Sequence, residues 1–302
     1  MGLALYHSLC KHLPQAELWV ICLDEQAEFA LKKLKLPALH PIPLKQVEST
    51  DLLAVKPTRT RAEYCWTLTP FTMEAVFARN HDVRRVTYID ADLLFFNSPQ
   101  SLFDEFDESG KQVLITEHAY APEYDQTATS GRFCVQFITF RRTEAALEVI
   151  HWWQQRCLEC CSEIPIDGKF GDQKYLDEWP TLFGDRVHIL EATELTIAPW
   201  NVGHLLAQHH DLLHPVFYHF HGLRLFRHRR CRLYSGYRIP PTANWIYEAY
   251  LSELVHAFDL LMQRDIRISY PSLDKSPKEV ARRFKRKWKQ TEAWCQLPRA
   301  PF

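Results

Sequence analysis

TYIDADLLFF, residues 87–96, sets an apolar strand directly against two carboxylates. Val86, Tyr88 and Ile89 read as the strand, and Asp90 and Asp92 fall one residue apart where it leaves the sheet. Packing does not satisfy two carboxylates at that spacing, because a buried charge needs a partner. In open α/β sheets the carboxyl ends of the strands form the ligand edge. Hard oxygen ligands in that position suit Mn²⁺ or Mg²⁺. Such an ion neutralises phosphate oxygens, which a diphosphate leaving group needs as its bond breaks. The plain alternative is one capping and one solvated aspartate.

Outward from this stretch, short apolar runs alternate with helical spacing. Before it, Leu3–Leu13 has a helical period and stops at Pro14, Glu17–Leu23 has strand length, and Gln26–Leu34 is a helix closed by Pro37. Ala62–Asn80 is helical with a break at Pro70. After it come a short helix at Ser101–Phe106, strands at Val113–Thr116 and Phe133–Phe140, and a long helix at Glu144–Cys161. A short helix at Asp172–Trp179 and strands at Val187–Leu190 and Val216–His221 complete the alternation. This order predicts an α/β fold with a mainly parallel sheet covered by helices on both faces. An open sheet of this kind normally begins with a strand, whereas this chain opens on a helix. Two expectations follow: the true start lies upstream, or the sheet lacks its first strand beside the ligand edge.

Bulk properties exclude several classes. With 36 Lys+Arg against 37 Asp+Glu the formal charge is −1, which argues against a nucleic-acid binder that works through a global positive field. No apolar run approaches the roughly 20 residues of a membrane span, and the first residues carry no signal-peptide pattern. The nine cysteines lack the paired Cys/His spacing of a zinc site and read as reduced thiols of a cytoplasmic protein. Aromatic content is 13%, fit for a dense core or for rings that stack on sugar and base.

TYIDADLLFFNSP (87–99) resembles the Asp-x-Asp segment of GT-A glycosyltransferases. Four further stretches, in order, resemble a bacterial group of nucleotide-diphospho-sugar transferases: EYCWTLTPF (63–71), GRFCVQFITFRR (131–142), FGDQKYLDEWP (170–180), and APWN (198–201) followed by FYHFHG (217–222). Together they span about residues 3–235. The resemblance implies a metal-dependent transfer of a sugar from a nucleoside-diphosphate sugar to the hydroxyl of a glycan or lipid-linked acceptor, in cell-surface glycan assembly. It implies that Asp90 and Asp92 hold Mn²⁺ or Mg²⁺, with Asp90 also touching the donor, and that His219 supplies a further ligand, His221 being the alternative. Related enzymes place a diphosphate-gripping lysine where Leu225 stands here, which leaves that grip to the neighbouring Arg224 or Arg227. Asp172, after Gly171, is expected to act as the base on the acceptor hydroxyl, or with Gln173 to position the sugar; helix capping is the alternative for Asp172. Glu117 at the end of a strand, Trp200 and Asn201 in a turn, and Arg61 and Tyr64 at the head of a helix are further candidates for donor or acceptor contact. The group usually shows Asn where Cys134 stands. It also carries a strand before the first helix, so the chain's alternative reading is a truncated, inactive remnant. Phosphatases related to haloacid dehalogenases likewise open a loop with Asp-x-Asp, but they continue with Thr or Val where this chain has Leu94.

Beyond Pro240 the pattern changes. Residues 1–238 are expected to form the nucleotide-sugar transferase domain and 239–302 a helical extension, with helices at Trp245–Arg264 and Lys278–Trp294. The second is basic, KEVARRFKRKWK at 278–289, with Phe284 and Trp288 on one face. Such a helix suits peripheral contact with the inner membrane surface through 278–294.

Overall fold

The computed structural model describes residues 1–210 and 212–297. Twelve strands form among them: β1 (Leu18–Cys22), β2 (Leu39–Pro43), β3 (Arg85–Ile89), β4 (Leu93–Phe95), β5 (Val113–Glu117), β6 (Phe133–Arg141), β7 (Val187–Ile189), β8 (Thr196–Ile197), β9 (Phe217–His219), β10 (Arg224–Phe226), β11 (Arg230–Ser235) and β12 (Glu292–Gln296). The expected α/β class holds, and the sheets are mixed. The central one has the order β3-β6-β5-β7, with β6 antiparallel to both neighbours and β5 parallel to β7. β1 and β2 make a separate parallel pair, while β4, β9 and β8 make a third sheet in which β4 and β9 run antiparallel.

Local chemistry starts the helices. Asp24 accepts the N–H of Ala27 at 2.9 Å and caps Glu25–Leu34, and Lys35 ends that helix in the left-handed region. Thr60 and Glu63 form a reciprocal capping box at the head of Arg61–Leu68. Pro70 then tightens the chain into a 3₁₀ turn before Thr72–Phe77, because proline cannot continue the hydrogen-bond ladder. On the central sheet the helix Glu144–Glu159 buries Val149, Ile150, Trp153 and Cys157. Trp153 and Trp179 meet edge to face at 5.4 Å within that core, so the bulkiest aromatics here serve packing.

The C-terminal region departs from the expected helix. Pro277–Trp288 is helical, but Gln290 takes φ 58° and reverses the chain, and Glu292–Gln296 adds to β11 as an edge strand. The basic helix thus covers 277–288 and stops short of Trp294, whose ring packs 5.4 Å from Phe226. The helix Asn244–Gln263 shares one core with Leu94, Tyr218 and Phe220.

An apolar cleft of about 1160 Å³ lies between β1 and β3. Leu5 and Leu9 of the helix Gly2–His12 line it with Leu13 just beyond, as do Leu68, Thr72 and Val76. Ala91, between the two aspartates, lies at its border.

Candidate metal centre

β3 ends at Ile89, and the Asp90 N–H donates to the Gln136 carbonyl at 3.1 Å, so pairing with β6 continues into the first carboxylate. A tight turn follows, closed by Leu93 N–H to the Asp90 carbonyl at 3.2 Å. β4 then pairs with β9 in a register that sets Leu93 opposite His219. Two sheets are therefore joined at Asp90–Asp92, and the second brings His219 to them.

One ligand atom each from Asp90, Asp92 and His219 lies within 4.8 Å of the others, the one such group of Asp, Glu, His and Cys among the described residues. His219 Nε2 is 3.2 Å from Asp92 Oδ1 and 3.7 Å from Asp90 Oδ2. Ligands about 2.1 Å from one ion stand roughly 3 Å apart when adjacent, so this donor set fits a small divalent cation. The other ring nitrogen, Nδ1, is 2.8 Å from Gln136 Oε1. A carbonyl oxygen can only accept, which fixes the proton on Nδ1 and turns Nε2 toward the carboxylates. The Gln136 amide nitrogen is itself buried without a partner. A buried glutamine left half-satisfied is costly, and its place here follows from orienting His219.

The electrostatics are those of a cluster held by a proton. Burial disfavours a charged His219, but the Asp92 carboxylate outweighs it and raises the imidazole well above its ordinary pKa. Burial pushes against ionised Asp92 too, yet His219 holds that carboxyl down at about 2. Asp90 is raised by burial, against the pull of His219. The pairing with Asp92 favours a protonated His219, and a divalent ion would replace its Nε2 proton.

The remaining candidates are placed as follows. His221 lies outside the three-residue group, exposed, its ring centroid 5.8 Å from that of His219. Trp200 is packed edge-on to both histidines, with its N–H donating to the His118 carbonyl at 2.7 Å. Asn201 is buried; its amide donates to that same carbonyl at 3.0 Å and its oxygen accepts the Ala198 N–H. Asp172 is buried, and burial first, with the charge of Asp90 adding, raises its carboxyl to about 7. It precedes the 3₁₀ turn Gln173–Glu178 but makes no side-chain cap there. Gln173 donates to the Ser130 carbonyl at 2.9 Å. Arg224 is exposed and near enough for its charge to help hold Asp92 down. Arg61 is paired with Asp24 at 2.9 Å, and the Tyr64 hydroxyl donates to Glu48 at 2.7 Å. Glu117 accepts from Arg132 at 2.5 Å, at a separate depression lined by Tyr120 and Asp125.

Two contributors escaped the sequence reading. Gln136 sits in FCVQFITF, a strand otherwise almost wholly apolar and fully buried, and a lone amide in such a strand is a signal that it serves a neighbour. Tyr88 shares a face with Asp90 by strand alternation and donates to it at 2.9 Å.

No family model matches the chain. In backbone course it is similar to glycosyltransferases of known structure. These include galactosyltransferase LgtC in complex with donor and acceptor sugar analogs (14% identical, 73% of this chain and 82% of that one, TM-score 0.49). Mouse xyloside xylosyltransferase 1 in its apo form is another (14%, 72% and 90%, TM-score 0.45). In sequence it is similar to two uncharacterized proteins of Bacillus subtilis (strain 168). YfnF is 34% identical over 238 residues, 74% of this chain and 78% of that protein. YfnD is 32% identical over 267 residues, 84% of each. Identity and coverage on that scale mean that the chain belongs to the family of YfnF and YfnD.

Proposed function

We propose that the chain is a metal-dependent glycosyltransferase that moves a sugar from a nucleoside-diphosphate sugar to an acceptor hydroxyl. The observation that carries this reading is the Asp90–Asp92–His219 group at the carboxyl end of β3, two carboxylates and an oriented imidazole at adjacent-ligand spacing. Those three residues would hold Mn²⁺ or Mg²⁺, which as a Lewis acid supplies neutralisation of a departing diphosphate. Arg224, beside Asp92, offers a planar two-pronged donor to phosphate. Asp172 is the group best suited to take the acceptor's proton: with its carboxyl raised to about 7 it is partly ionised at neutrality, and a base works best when its pKa lies near the working pH. Gln136 keeps the His219 tautomer, and Trp200 walls the histidines on one side. The acceptor in this reading is a glycan or lipid-linked hydroxyl at the cell surface, reached from the cytoplasmic side.

A thermal-shift panel of nucleoside diphosphates and nucleotide-sugars, with and without Mn²⁺, tests it. A ligand that binds only the native state raises the melting point by mass action, by about 2.7 kcal/mol of stability at a hundredfold excess over Kd. The expected outcome is a shift that needs both a nucleoside diphosphate and the metal. A folded protein that shifts with metal and inorganic phosphate but with no nucleotide would overturn the donor class.

A further inference from the structure

From Leu212 to Tyr247 the chain has no Asp or Glu, yet Arg224, Arg227, Arg229, Arg230, Arg232 and Arg238 all fall within it. Three of these arginines share one face of one sheet. β10, β11 and β12 pair antiparallel, and residues directly opposite one another in such a sheet point to the same side. Leu225, Cys231 and Cys295 form a row that turns inward, to the core shared with the helix Asn244–Gln263. The rows flanking it face outward: Arg224, Arg232 and Trp294 make the first, and Phe226, Arg230 and Gln296 the second. The helix Pro277–Trp288 rests against β12 at one end of this face. Beyond it Arg224 and Arg230 are exposed, and Phe226, Arg232 and Trp294 half-buried.

The three guanidinium groups lack an anion. Among the described residues no ion pair holds any of them, and Glu292, the carboxylate on the same face, is taken by Arg286 at 3.4 Å. Burial first, with the charges of Arg224 and Arg286 adding to it against that of Glu292, lowers Arg232 below an ordinary arginine. Arg232 gives Nε to the Gly222 carbonyl at 3.3 Å, which leaves both of its terminal nitrogens. Arg230 lies over the Trp294 ring, 5.4 Å from its centre. A guanidinium braced on an aromatic face presents its outer edge to an anion, and two such forks suit the oxygens of a phosphate.

Position separates that anion from the diphosphate of the donor. Arg224 is the member beside Asp92. Arg232 is one strand farther out, about 5 Å, and Arg230 two residues farther along β11, about 7 Å. A phosphate between Arg230 and Arg232 is therefore displaced from one at the metal centre by roughly the width of a sugar ring.

We infer that this face is a second anion site, which holds a phosphate of the acceptor. Arg230 and Arg232 grip it, Trp294 braces Arg230, and the accepting hydroxyl lies one sugar away toward the metal centre. The acceptor is then a phosphorylated sugar, or a sugar joined to its carrier through phosphate, and not a neutral glycan. The inference rests on the transfer reading for the substrate to which the phosphate belongs, and on the sheet face for the phosphate itself.

Calorimetric titration with glucose 1-phosphate tests it, with glucose as the control that lacks only the phosphate. Each is titrated into the full chain alone, and into the chain saturated with Mn²⁺ and the nucleoside diphosphate of the thermal-shift panel. Glucose 1-phosphate is expected to bind in both states and glucose in neither. Arg230→Gln alters an exposed side chain and should weaken that binding by about tenfold, and the double change with Arg232→Gln by about 100-fold. Affinity for the nucleoside diphosphate should stay the same in both variants. No saturable binding of glucose 1-phosphate by the unaltered chain, or equal binding by the unaltered chain and the double variant, would overturn the proposal. So would an equal loss of nucleotide affinity, which would give the arginines to the donor. Weaker binding of the double variant to vesicles rich in anionic lipid, with glucose 1-phosphate unaffected, would give the face to lipid headgroups and overturn it too. If no nucleoside diphosphate binds, the transfer reading fails and the assignment to an acceptor fails with it. The titrations without nucleotide still decide in that case whether the arginines hold phosphate.

Discussion

Along one edge β3 is laddered to β6 through five residue pairs, from Arg85–Arg141 to Ile89–Phe137, and the ladder runs on into the Asp90 N–H. Along its other edge no described strand pairs with it, and the apolar cleft lies there. The paired flank supplies Gln136 from β6, and the neighbouring β4–β9–β8 sheet, which the chain enters through Asp90–Asp92, supplies His219. The open flank contributes none of them. The geometry of the Asp90–Asp92–His219 group is therefore set by the β3–β6 ladder together with the β4–β9 pairing. Whatever reaches from the cluster across Ala91 toward β1 depends on the open flank.

Asp92→Asn tests the paired flank most severely. It keeps the shape and removes the charge that both binds a cation and holds His219 protonated. Metal-dependent nucleotide binding should be lost beyond the roughly 100-fold that a change outside the ligand shell can cause. Calorimetric titration with Mn²⁺ and a nucleoside diphosphate measures it; an unchanged Kd would remove Asp92 from the site.

Gln136→Leu should act more mildly. It leaves all three ligands and deletes the acceptor that fixes the His219 tautomer, so metal affinity should fall by about 10- to 100-fold. The melting point should move little, because the substitution also removes an amide nitrogen buried without a partner. A large loss of stability with metal affinity intact would show that Gln136 serves the fold and not the site.

Asp172 gives the comparison a pH axis. Its carboxyl is raised to about 7 in the folded chain, whereas an unfolded aspartate titrates near 4. Between those values the native state binds more protons than the unfolded state, so stability falls as pH rises, by at most about 1.4 kcal/mol per unit. Above about 7 both forms are ionised and this contribution levels off. Melting points of the metal-free protein across pH 4–8 should show that fall, and Asp172→Asn should flatten it. An equal slope in both proteins would mean that another group titrates there.

The sequence made these particular features legible to different degrees, for physical reasons. TYIDADLLFF could be read because an apolar strand meeting two charges breaks a pattern that packing otherwise enforces. His219 could be proposed only through resemblance, since its approach to Asp92 depends on the β4–β9 register, a contact between residues over a hundred positions apart. Gln136 was visible in principle as the one amide in a buried strand, but its partner was not. For Tyr64, Gln173 and Asn201 the residue type was noticed, while the polar groups that engage them (Glu48, Ser130, His118 and Ala198) lie far along the chain or in turns without a periodic signature. At the C-terminus the helical period of KEVARRFKRKWK was sound as far as Trp288. The positive φ at Gln290, which turns the chain into β12, has no composition cue such as Gly or Pro.

The smallest expected effect belongs to a face that touches neither edge of β3. The helix Pro277–Trp288 rests against β12 and presents Val280, Phe284 and Trp288, 50%, 76% and 79% exposed, at positions four apart on one stripe. Lys278, Arg282, Arg283, Lys285, Arg286, Lys287 and Lys289 stand beside Glu279 as the lone acidic residue of 278–289. Arg286 is turned inward to Glu279 and Glu292, Arg282 pairs with Glu279 and Arg283 donates to the Asp274 carbonyl, which leaves Lys278, Lys285, Lys287 and Lys289 to flank the stripe. Cations around an apolar stripe are the arrangement that settles into an anionic lipid surface, and no described helix is long and apolar enough to cross a membrane. The protein is thus expected to sediment with vesicles rich in anionic lipid and not with neutral ones. Phe284→Ser should weaken that binding by about fivefold, equivalent to roughly 1 kcal/mol for a ring that enters only in part. Metal-dependent nucleotide binding should be unchanged in the same variant. If both fell together, the helix would be coupled to the site through the β10–β12 sheet, and the division between the two flanks of β3 would no longer describe how the molecule works.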